Sequence, residues 1–164
     1  MQNALRQPRG IRNHNPGNLR RSNDRWRGLA EKQTDAEFFQ FVDPVFGIRA
    51  MAIVLMKYQR THGLRTVTSI INRWAPARGD RNGEAPGGEY QQNTNAYAQH
   101  VARYMGISHN HEINLAKQAS LFYLMLAAMI RHENGVQPYP RATIFKALEL
   151  ANVPVASLTT THGA

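Results

Sequence analysis

Ten uninterrupted apolar residues, Leu121 to Ile130, run directly into Arg131-His132-Glu133-Asn134-Gly135. A helix that is apolar around its whole circumference is stable only inside a domain, with neighbours on every side. The run falls well short of the roughly 20 residues needed to cross a bilayer, so it reads as the central helix of a core. Arg131 and His132 place cations at the negative end of that helix, where the dipole favours them, whereas Glu133 places a carboxylate there against the field. A central helix ending in this way would deliver Glu133 to the floor of whatever cleft it reaches. A carboxyl group desolvated beside apolar walls is the arrangement of general acids that act on glycosidic bonds. The plainer reading, a solvated polar residue closing a core helix, fits the same local sequence.

The 164 residues, 42% of them hydrophobic, suffice for one domain and not for two independent cores. Met1 to Arg12 is polar and basic and lacks the apolar centre of an export signal, so a soluble protein without a transmembrane segment is expected. The absence of cysteine removes disulfides, thiolate metal sites and a cysteine nucleophile. A net charge of +9 calls for an anionic partner, whether nucleic acid, a membrane surface or the anionic polymers of a bacterial wall.

Along the chain, Met1 to Asn23 reads as loop and turn, with His14-Asn15-Pro16-Gly17-Asn18 as a tight turn. Trp26 to Val42 suggests two short strands or a small β-hairpin, with Glu31 to Glu37 equally readable as a helical turn. Asp43-Pro44 is a helix start, followed by Ile48, Met51, Leu55 and Tyr58 on one face and by Gly63 as the stop. Val67, Ile70, Ile71 and Trp74 define a second helix that Pro76 ends, and Thr94 or Asn95 caps a third carrying Tyr97, Val101 and Tyr104. Ala77 to Asn93 is polar and long enough to be a mobile surface loop. A fourth helix is expected from about Asn114 to His132 and a fifth from Pro140 to Ala151, with a frayed tail after Val155. The expected architecture is one mainly α domain with a central buried helix and a minor β element.

No metal requirement and no cofactor are expected. His109 and His111 lack a third ligand at a recognised spacing, and His132-Glu133 lacks a histidine four residues on. Gly83, Gly87 and Gly88 are not followed by the lysine that a phosphate-cradling loop uses.

Glu133-Asn134-Gly135 with Gln137-Pro138 resembles the Glu-Ser-Gly and Asn-Pro signature of lytic transglycosylases of the lysozyme superfamily, with Asn134 in place of the serine. Asn18-Leu19, Trp26-x-Gly28, Phe39-x-Phe41 and Gly47 are similar in order to a segment of bacterial glucosaminidases that cut peptidoglycan. Trp74-Ala75-Pro76 with Asn95-x-Tyr97-Ala98 is similar to the aromatic segment lining their saccharide cleft. In those families the glutamate helix comes first, so the resemblance implies a circularly permuted order. From Gly10 to Ala151, and most plainly at Arg12-Asn13-His14-Asn15-Pro16-Gly17-Asn18-Leu19-Arg20, the chain also resembles small phage and prophage proteins described as virion structural or wall-lytic.

The resemblance implies a lysozyme-like, monomeric enzyme acting on peptidoglycan glycan strands, with other virion proteins as further partners. Glu133 would be the acid. Trp26, Trp74, Tyr90 and Tyr97 would stack on sugar faces, and Asn15, Asn18 and Asn95 would bind acetamido groups. A transglycosylase needs no second carboxylate; a hydrolase needs one, for which Asp24, Asp35, Glu37 and Asp43 are available. On the bland side, Trp74 and Tyr97 lie on apolar helix faces, Asn15 to Asn18 suits a simple turn, and Asp43 suits a cap. Two rival classes stand beside the enzyme. One is a nucleic-acid-binding protein using Arg6, Arg9, Arg12, Arg20, Arg21, Arg25 and Arg27, disfavoured because no recognition helix is evident. The other is a virion protein that binds glycan without cutting it.

Overall fold

Asp43 and Pro44 open the longest helix, α2 (Pro44–His62). The Asp43 carboxylate accepts the Val45 N–H at 2.9 Å, Pro44 occupies the first helical position, and Gly63 stops the helix in the left-handed region at φ 63°. The computed structural model describes residues 6–75 and 88–155, with the side chains of 88–92 left aside. Ahead of α2 stands one helical turn, α1 (Arg9–Arg12), within the segment expected to be all loop. The turn after it is real: the Asn18 N–H donates to the Asn15 carbonyl at 2.9 Å.

α3 (Val67–Trp74) begins with a reciprocal capping box, in which Thr66 accepts from the Ser69 N–H and Ser69 accepts from the Thr66 N–H. α4 (Gly88–Met105) starts well before the expected caps at Thr94 and Asn95. Thr94 is buried, and its hydroxyl donates to the Ala75 carbonyl at 3.0 Å, which ties α4 to the end of α3 instead of starting a helix. The expected loop over 77–93 is therefore helical from Gly88 on. Its remainder, and the expected frayed tail beyond Val155, lie outside the described residues.

A 3₁₀ turn (Leu115–Lys117) breaks at Gln118 before α5 (Ala119–Asn134), and α6 (Arg141–Leu150) closes the described fold. α5 has no side-chain cap at its N-terminus. Burial positions it instead: Phe122, Met125, Leu126, Met129 and Ile130 are fully buried, each large apolar side chain contributing about 1.5–3 kcal/mol, against about 1 kcal/mol for a cap. α5 touches α1, α2, α4 and α6, while α2 packs on α6 and α4 on α3. It is the central helix, and it runs two residues beyond His132 to stop at Gly135, φ 75°.

The β-hairpin does not form. Among the described residues there are only two isolated antiparallel bridges, Arg20 with Phe38 and Leu29 with Phe41. The segment from Phe38 to Val42 divides its amide bonds among three stretches of chain: Phe39 N–H to Leu19, Phe41 N–H to Asn13, and Val42 N–H to Gly28. No single partner runs alongside it long enough to build a ladder. Phe39, Phe41 and Ala50 form a small second core, with Leu19, Trp26, Leu29 and Phe46 packed against it.

Candidate active site

α5 carries Glu133 half-buried into a cleft of about 550 Å³. Gly17 to Arg20 and Phe38, Val54 and Tyr58 of α2, Trp74 and Ala75, Tyr97 and His132 line it with Glu133. Three donors from three separate elements converge on the one carboxyl. Trp74 donates its indole N–H to Oε1 at 3.1 Å, Tyr97 its hydroxyl to the same oxygen at 3.2 Å, and Asn18 its amide to Oε2 at the long distance of 3.5 Å. Oε1 already accepts two hydrogen bonds, one for each of its lone pairs, whereas Oε2 accepts only the long one from Asn18. Oε2 is therefore the oxygen with room for a proton.

The donors are themselves held in place. Tyr97 is buried, and burial together with the neighbouring Glu133 charge pushes its hydroxyl well above the ordinary tyrosine value, so it stays a neutral donor. Its ring stacks on His132, with centroids 3.6 Å apart. Burial, and after it the nearby His100, lower the His132 pKa from the usual histidine value. Gly17 lets the turn approach closely: a Cβ there would lie 2.6 Å from the Met51 Cγ and 3.0 Å from the Trp74 ring. Asn18 sits in the left-handed region at φ 50°, a conformation asparagine tolerates better than most residues.

The structure thus brings Asn18, Trp74 and Tyr97 together at Glu133. The other expected contact residues lie elsewhere. Asn15 is fully buried and uses its whole amide on backbone, donating to the Leu19 and Phe39 carbonyls and accepting from the Leu19 N–H. It holds the turn's shape and does not reach the cleft. Trp26 packs on the second core because Phe39 and Phe41, distant in sequence, give its ring an apolar surface. Asn95 is exposed and is not part of the cleft lining, and the side chain of Tyr90 lies outside the described residues. Arg20, Phe38, Tyr58 and His132 also line the cleft, a place that the sequence did not assign to them. The signals were local ones: Phe38 beside Phe39-x-Phe41, Arg20 closing the Arg12 to Arg20 motif, Tyr58 on the apolar face of its helix and His132 next to Glu133.

Among the described residues, Glu133 is the sole carboxylate lining the cleft. Asp35 is held by Arg9 at 2.6 and 2.7 Å and by the Asn13 amide, which keeps its pKa far below the usual range. Glu37 pairs with Arg9 and Arg20, Asp43 caps α2, and Asp24 bonds Ser22. None of the four is placed to act beside Glu133. No described group of three or more acidic or histidine side chains is arranged to hold a metal ion. No described helix is long and apolar enough to cross a membrane.

A mainly helical domain with a single carboxylate at the foot of its central helix is the class that fold and cleft define. No protein-family model matches the chain. Protein P5 of Pseudoalteromonas phage PM2 is 35% identical over 144 residues, which span 86% of this chain and 80% of that protein. The chain belongs to the family of that bacteriophage protein.

Proposed function

We propose that this protein is a phage-encoded, virion-associated muralytic enzyme with a lysozyme-like arrangement, cleaving the β-1,4 glycosidic bond of peptidoglycan strands with Glu133 as its acid. The observation that carries this reading is the grip on Glu133: Trp74 and Tyr97 together fill Oε1, while Oε2 meets only the Asn18 amide at 3.5 Å and keeps a lone pair at which a proton can be held and delivered. Oε2–H protonates the glycosidic oxygen as the bond from that oxygen to C1 breaks. The resulting carboxylate then takes the proton from a hydroxyl of the same sugar as its oxygen attacks C1, which closes an anhydro ring and regenerates the acid. That sequence uses one carboxylate, in keeping with a cleft lined by Glu133 alone among the described carboxylates, so a transglycosylase is preferred to a hydrolase.

The phage relative is in keeping with a protein of this kind, although its name specifies no activity. Against the nucleic-acid reading, Arg9 and Arg20 do not extend as free phosphate contacts. Both guanidinium groups lie over the Phe38 ring, at 4.7 and 5.2 Å, and both pair with Glu37.

Digestion of purified peptidoglycan by the wild type and by Glu133→Gln, with mass spectrometry of the released sugars, tests the reading. Anhydro-ended products from the wild type alone are expected. Reducing ends would make the enzyme a hydrolase, and release of no sugar by the wild type would overturn the proposal in favour of a glycan-binding virion protein.

A further inference from the structure

Tyr58 lines more than the cleft around Glu133. It also borders a second depression of about 540 Å³, formed with Leu64, Ser69, Asn72 and Arg73 where α2 meets α3. Either hollow alone has the volume of a small-molecule site. The two hollows meet at Tyr58, and a ligand that occupied both would be longer than a single small molecule, which suits a polymer.

The chemistry of the second hollow is uneven. Ser69 is committed to the capping box with Thr66, and its hydroxyl also donates to the Thr66 carbonyl at 2.9 Å. Arg73 is not committed in that way. Its guanidinium lies 5.4 Å from the centre of the Tyr58 ring, an orientation that holds the cation over the junction of the two hollows. Among the described residues no carboxylate pairs with it. Arg9 and Arg20, by contrast, are both paired with acids. A cation held against a ring and paired with no described acid is suited to a carboxylate brought by a ligand.

We infer that the depression formed by Tyr58, Leu64, Ser69, Asn72 and Arg73 is a second subsite of the same groove, in which Arg73 takes a carboxylate carried on the strand next to the sugars held at Glu133. This rests on the reading of the cleft as a peptidoglycan site. On that substrate the carboxylates belong to the peptide stems, which an uncharged strand of N-acetylglucosamine lacks. The subsite therefore separates acidic from neutral strands of equal length, while Glu133 and its donors serve both.

The test is binding, with Glu133→Gln as the non-cutting background and full-length protein throughout. Calorimetry compares two hexasaccharides, one from peptidoglycan with its stem peptides and one of N-acetylglucosamine, before and after Arg73→Gln. Arg73 is exposed, so a thermal melt is expected to show the variant folded. The expected result is a fivefold to tenfold loss of affinity for the stem-bearing strand, roughly the range of one charge-assisted contact, with the neutral strand unaffected and partial recovery in Arg73→Lys. Equal losses on both strands, or no loss on either, would overturn the subsite and leave the proposed function intact. Failure of the Glu133→Gln background and of the wild type to bind either strand would overturn both.

Discussion

The indole N–H of Trp74 and the Oε1 of Glu133, 59 positions apart in the chain, meet at 3.1 Å. With Tyr97 on the same oxygen at 3.2 Å, the contact fixes the orientation of a carboxyl that would otherwise rotate freely at a helix end.

Trp74→Phe and Tyr97→Phe each keep a ring and remove one donor. Each should lower stability by about 1–2 kcal/mol, the cost of a hydrogen bond lost from a half-buried site, as read from urea denaturation. In the proposed reaction each should lower kcat about tenfold with KM little changed, since the donors orient Glu133 and do not themselves hold the substrate. A KM effect alone would show that the two residues bind sugar and do not orient the acid.

Gly47→Ala tests how the turn bearing Asn18 is seated. A Cβ on Gly47, in the first part of α2, would collide with the backbone carbonyl oxygen of His14. Because the obstacle is backbone, it cannot rotate away, and a loss of about 1–3 kcal/mol is expected. In the proposed reaction, cleavage should fall further than stability predicts, because the displaced turn carries Gly17 and Asn18. Unchanged denaturation would show that α2 and the turn separate easily.

Asp35→Asn should destabilise the protein at neutral pH, and the difference should vanish in acid. The Arg9 guanidinium holds the folded-state pKa of Asp35 far below its unfolded value of about 3.9. Its contribution is therefore complete well above pH 4 and is lost as pH falls from there towards the lower folded value. Melting curves of the two proteins at pH 7 and at successively lower pH check this; a gap that widened in acid would contradict it.

His132 produces a dependence in a different window. Its pKa is depressed by burial and then by His100, so below about pH 6.5 the unfolded chain binds a proton that the folded protein resists. Stability should decline as pH drops through that range and level off once the folded form is also protonated. A His132→Gln variant should show a shallower decline between pH 7 and 5. Equal slopes would place the source of any decline elsewhere.

Much of the helical order was legible because its signals are local. Asp43-Pro44 and Gly63 bound α2 where the spacing placed it, and the apolar run from Leu121 to Ile130 marked the central helix and the carboxylate at its foot. What escaped depends on contacts between distant residues. Thr94 looked like a cap, but its hydroxyl belongs to Ala75. Trp26 looked like an exposed stacking residue in a polar loop until Phe39 and Phe41 folded beneath it. Asn15 had the right chemistry for a ligand, yet the backbone of its own turn and of Phe39 claims all of it. His132 stood beside Glu133 in the sequence, but nothing there could reveal Tyr97 stacked against it.

Asn18 and Glu133 are separated by 115 positions and still share a hydrogen bond. On the ribosome, the turn, Trp74 and Tyr97 are all made before the residue they surround, and contacts this distant in sequence must await the closure of a long loop. A nascent chain thus holds three donors with nothing to hold until α5 arrives. Premature termination anywhere ahead of α5 yields a fragment that carries the three donors without the carboxylate they hold.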